Sequence, residues 1–266
     1  MDCIHLAVDE NILMDWRYSL VNGYDQSTYL SGNSLMDQFN EYRFYSNANT
    51  LIANAIPHVY RTEDEDELGA FVVFMADEAD EPMLKKIEYM LGNNKIYYSI
   101  LVLVHNTKKP AASLDSLKVD LIIRSNSIVE AYKDVIPVCS AISKQGPICV
   151  DSSDLKYGIS PYGKTPIIAH IPIALETNVQ FLLMVTLQEY KEKYPALFKQ
   201  GIPACLLVIS VPPQENDFMC IGSKFIECAE HAGLICDDSS LIMACNFNED
   251  IGELRALLSL YLVSNN

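Results

Sequence analysis

The residues of this sequence that could do chemistry are chiefly carboxylates. Asp77, Glu78, Asp80 and Glu81 crowd into Phe74-Met75-Ala76-Asp77-Glu78-Ala79-Asp80-Glu81-Pro82. Hard cations such as magnesium and calcium prefer such oxygen ligands, although the spacing matches no EF-hand loop. The plainer account is a solvated acidic turn, whose charges suit the positive end of a helix dipole. Asp151 and Asp154 form a second group, following Gly146-Pro147 and preceding a helical segment. Aspartates there are natural N-caps and turn formers.

Other constellations are thinner. Cys228, His231 and Cys236 contain two residues three apart on one helical face, half of a zinc set with no convincing fourth ligand. Buried free thiols and a surface histidine account for them better, and no metal is expected. His5, His58, His105 and His170 are dispersed, and no serine sits in a G-x-S-x-G elbow. His105 closes an apolar run at the edge where open α/β sheets bind ligands, though a polar strand end explains it as well. The 11 glycines are nowhere closer than five residues apart, which excludes any GxG or Rossmann fingerprint.

Those residues must be held by a scaffold of 266 residues, half of them hydrophobic, enough for one large or two packed domains without disulfide or metal staples. Nineteen basic residues against 35 acidic ones leave a formal charge of -16. That charge opposes a phosphate backbone or an anionic membrane, so no nucleic acid and no direct membrane contact are expected. The eight cysteines are scattered singly, many inside apolar runs, as in a reducing compartment. No apolar run approaches the roughly 20 residues of a spanning helix. A soluble, cytoplasmic protein is the expectation.

Strand candidates are Ile4 to Val8, Phe71 to Met75, Ser99 to Val104, Leu121 to Ile123, Ile167 to Ile171, Ala204 to Val211, Leu241 to Ala244 and Leu257 to Val263. The runs at 71 and 99 are continuous, as in strands buried on both faces. Helical spacing intervenes, as in Pro82 to Leu91, and the alternation predicts a parallel sheet with crossover helices. Ile128 to Ser143 could be one helix, interrupted or kinked by Pro137. Further helices are predicted near 176–194 and 218–231, and a turn at Asn246 to Asp250. The acidic run Glu63 to Glu67 suits a loop. These elements predict an α/β protein in three parts: a Rossmann-like parallel sheet domain at 1–127, a central connecting helix at 128–145, and a smaller α+β domain at 146–266.

Three motifs in order resemble the FtsZ/tubulin superfamily. Gly146 to Leu155 is similar to the FtsZ pattern G-L-x-N-V-D-F-A-D-V, with Cys149 in place of the asparagine. Phe247 to Val263 is similar to D-P-x-x-x-D-E-L-R-V-T-V-I-A-T, and Val119 to Asn126 to D-x-L-I-V-I-P-N-D, with Ser127 in place of the final aspartate. The resemblance covers about two thirds of the chain, mainly from Ser99 onward. It implies an FtsZ/tubulin-like fold, places Asp151 and Asp154 at the family's catalytic-loop positions, and puts Asn126 on the guanine side.

The family's glycine-rich GGGTGTG turn is missing. Glycine is needed there because only it lets several backbone N–H groups converge on a phosphate. The matching junctions in this chain are Asp77 to Pro82 and Asp9-Glu10-Asn11. Two like charges about 4 Å apart at an effective dielectric near 20 repel by roughly 4 kcal/mol, so acids there oppose a triphosphate. The resemblance therefore implies a pseudo-GTPase without cofactor, partnered by itself or by an FtsZ/tubulin-like homologue, to which it could lend Asp151 and Asp154. Two rivals stand beside it: a divergent, metal-assisted GTP hydrolase that polymerises, and a plain small-molecule binder in the sheet crevice.

Overall fold

The computed structural model describes residues 4–8, 43–45, 70–77, 96–104, 117–126, 128–143, 146–248 and 253–264, with Lys85, Glu88, Leu91 and Ile251 besides. The chain divides into two compact units, Met1–Ser143 and Lys144–Asn266.

Among the described residues the first unit has five strands: β1 (Ile4–Val8), β2 (Arg43–Tyr45), β3 (Ala70–Asp77), β4 (Ile96–Val104) and β5 (Leu121–Ser125). They form one wholly parallel sheet in the order β2-β1-β3-β4-β5. The continuous apolar runs behave as their composition predicts, since Tyr98 to Leu103 are all buried and a strand with both faces covered has no place for polar alternation. Ser99 is tolerated because it hydrogen-bonds: its N and Oγ both donate to Asp120 Oδ2, at 2.8 and 3.0 Å, which ties β4 to the start of β5. Lys85, Glu88 and Leu91, between β3 and β4, are helical. The short strand β2 has no counterpart among the sequence candidates.

Helix α1 (Ile128–Ser143) packs on β5 and β4. Its apolar stripe, Ala131, Val135, Val138 and Ile142, is buried. It runs through Pro137 without interruption. An interior proline forfeits one backbone hydrogen bond and strains the preceding turn, at about 3 kcal/mol, and burial of the stripe offsets that cost.

The second unit holds a four-stranded mixed sheet, β6 (Ile167–Ala174), β7 (Ala204–Val211), β8 (Ser240–Phe247) and β9 (Leu254–Val263), in the order β6-β9-β7-β8. Strands β7 and β8 are parallel, and β9 lies antiparallel to both β6 and β7. Four helices accompany the sheet: α2 (Ser152–Gly158), α3 (Val179–Lys193), α4 (Pro195–Gln200) and α5 (Phe218–Ala232). Leu183 and Leu187 of α3 and Ile221, Phe225 and Ala229 of α5 enter one core with Ile171, Leu207, Ile209, Leu258 and Leu260 of the sheet. Asn178 caps α3 by accepting from Phe181 N at 3.1 Å. Gly233, at φ 81°, ends α5 in the left-handed conformation that glycine adopts without penalty.

One sequence expectation is corrected here. Asn246 and Phe247, predicted to open a turn running to Asp250, instead complete β8 in register with Ser210 and Val211; Glu249 and Asp250 lie outside the described residues. Asn246 is buried, and pairing with a central strand overrides its turn propensity. Helix α4, like β2, has no counterpart among the sequence candidates, being too short for an amphipathic period to show.

Candidate functional site

The segment Gly146–Asp154 is placed by an edge strand. Ile148 forms an antiparallel bridge with Cys245 of β8: Cys245 N donates to Ile148 O at 3.0 Å and Ile148 N to Cys245 O at 3.4 Å. Gly146 makes this approach possible, since a Cβ there would stand 2.0 Å from Cys245 O. The segment thus docks near the C-terminal end of β8. From there α2 crosses the sheet face opposite α3 and α5, so that Gly158 meets Ile242 and Gly163 meets Val263.

Asp151 and Asp154 are joined in a reciprocal capping box. Asp151 Oδ1 accepts from Asp154 N at 2.9 Å, while Asp154 Oδ2 accepts from Asp151 N at 2.9 Å. The Ser153 hydroxyl donates to Asp151 Oδ1 as well. That hydroxyl bond is the largest of the effects holding the Asp151 carboxyl below its ordinary range; partial desolvation opposes it, and backbone donors at Asp154 and Ser153 add to it. Both aspartates are exposed. The pair can therefore cap its own helix and still present negative charge and free acceptor capacity to a partner. Cys149 is exposed, with its thiol donating to Gly146 O at 3.4 Å.

Asn126 belongs to the first unit and lies one residue past β5, exposed, with its backbone N donating to Glu130 Oε2 at 3.0 Å. Ser125 Oγ, beside it, donates to Asp134 Oδ2 at 2.6 Å. Because the sheet is parallel, all five strands end at one edge, and the register lines up Asp77, Val104 and Ser125 across β3, β4 and β5. The order reverses direction between β1 and β3, and crevices at such switch points are where open α/β sheets bind ligands. The segments leaving β1 and β3, Asp9 to Asn11 and Glu78 to Pro82, lie outside the described residues, as do His58, His105 and Glu63 to Glu67.

Cys228, His231 and Cys236 do not converge. Cys228 is buried and its thiol points to Gln180 O at 3.9 Å, while Cys236 Sγ pairs with Ser239 Oγ at 3.3 Å. The expectation that both thiols are buried fails for Cys236, which is exposed in the turn after α5. Among the described residues, no group of three or more His, Cys, Asp or Glu could hold a metal ion.

Sequence reasoning did not single out Arg255. Its Nε contacts Glu215 Oε2 at 2.9 Å and its Nη2 contacts Asp217 Oδ2 at 2.6 Å, which pins the loop before α5 to the start of β9. Partners 40 and 38 positions away leave no local signal in the sequence.

By sequence the chain matches no protein-family model and no curated protein. By structure it is similar to an empty FtsZ dimer of M. jannaschii, with 11% identity, 98% of this chain and 88% of that chain covered, and a TM-score of 0.58. A second FtsZ structure from M. jannaschii, a mutant, gives 12% identity, 98% and 91% coverage, and a TM-score of 0.55. CetZ from Methanosaeta thermophila gives 11% identity, 100% and 87% coverage, and a TM-score of 0.51. The chain therefore has an FtsZ/tubulin-like α/β fold. No helix among the described residues is long and apolar enough to cross a membrane.

Proposed function

We propose that this chain is a pseudo-GTPase of the FtsZ/tubulin type, working through protein contacts: self-association, or regulation of a cytoskeletal or cell-division homologue. The observation that carries the reading is the conjunction at the switch point of the first sheet. The fold directs a ligand to the ends of β1 and β3, and the sequence that follows those ends is Asp9-Glu10-Asn11 and Glu78 to Pro82, without a glycine and rich in carboxylates. Clustered backbone N–H donors need glycine to approach phosphates, and acids repel them. In this reading residues 1–127 are a degenerate GTPase-like domain, 128–145 the helix that joins it onward, and 146–266 the FtsZ-like α+β domain. Asp151 and Asp154 then serve as a contact surface, available to a neighbour that does carry nucleotide, and Asn126 keeps a position on the guanine side without a ligand to read.

Isothermal titration of the purified chain with GTP and with GDP, each with magnesium, tests the reading. No heat of binding is expected; micromolar affinity for either nucleotide overturns it. The second reading, a metal-assisted hydrolase that polymerises, draws support from the same acids acting as cation ligands. Phosphate release from GTP that is abolished by Asp77→Ala or Asp151→Ala would replace the first reading with the second.

A further inference from the structure

We draw no further inference here: the strongest candidate, the apolar face that helix α3 turns to solvent at Phe181, Met184 and Val185, opposite its buried Val179, Leu183 and Leu187, carries nothing, because nothing in the structure shows what covers it.

Discussion

Replacing Gly146 with alanine should be among the most damaging single-methyl changes in the second unit. The added Cβ would lie 2.0 Å from Cys245 O and 3.0 Å from both Cys245 C and Asn246 Cα. All three are backbone atoms of a strand paired on its other side with β7, so they cannot rotate away as a side chain would. Relief requires the loop to withdraw by about an ångström, which breaks the hydrogen bonds of 3.0 and 3.4 Å between Ile148 and Cys245. Two such bonds contribute about 1 kcal/mol each, and overpacking strain adds about 1–3 kcal/mol, so a loss of about 3–5 kcal/mol is expected. Gly158→Ala is the control. Its Cβ meets Ile242 Cδ1 at 2.5 Å, the far end of a side chain that can change rotamer, and alanine is the better helix former by about 1 kcal/mol. Urea unfolding of the three proteins measures both effects. The reasoning is refuted if Gly146→Ala falls within about 0.5 kcal/mol of wild type, or if Gly158→Ala is the more damaging of the two.

If Asp151 acts as a cap, Asp151→Ala should lower stability by about 1 kcal/mol in the same assay while Asp151→Asn stays nearly neutral, because asparagine caps equally well. Since the folded-state carboxyl lies below its ordinary value of 3.8, the unfolded chain binds more protons as pH falls. The Asp151 contribution is therefore present above that value and lost as pH drops through the lower folded one; a wild-type minus Asp151→Ala difference that does not shrink with acid would refute it. Thiol labelling under native conditions should separate the cysteines. Among the described cysteines, Cys149 and Cys236 are exposed and should react first, whereas burial pushes Cys205 and Cys245 up to about 12, so that mass spectrometry finds them alkylated only after denaturation.

The sequence by itself determined the class of fold and most of its strands. Runs such as Ser99 to Val104 and Ala204 to Val211 are apolar at nearly every position, and only a strand covered on both faces, or a buried helix, tolerates that. Length and the helical segments between the runs decided for strands. The capping role of Asp151 and Asp154 was legible too, because a cap is local: donor, acceptor and spacing all lie within four residues. Tertiary structure alone decided what depends on distant partners. The bridge of Ile148 to Cys245 explains why residue 146 is glycine, the pairing of β8 with β7 draws Asn246 into a strand, and Arg255 finds Glu215 and Asp217 across the fold. Outward exposure of Phe181, Met184 and Val185 belongs with these. A helix apolar on two sides shows in sequence only as a helix with many apolar residues, and which side the core takes is set by the sheet on which it packs.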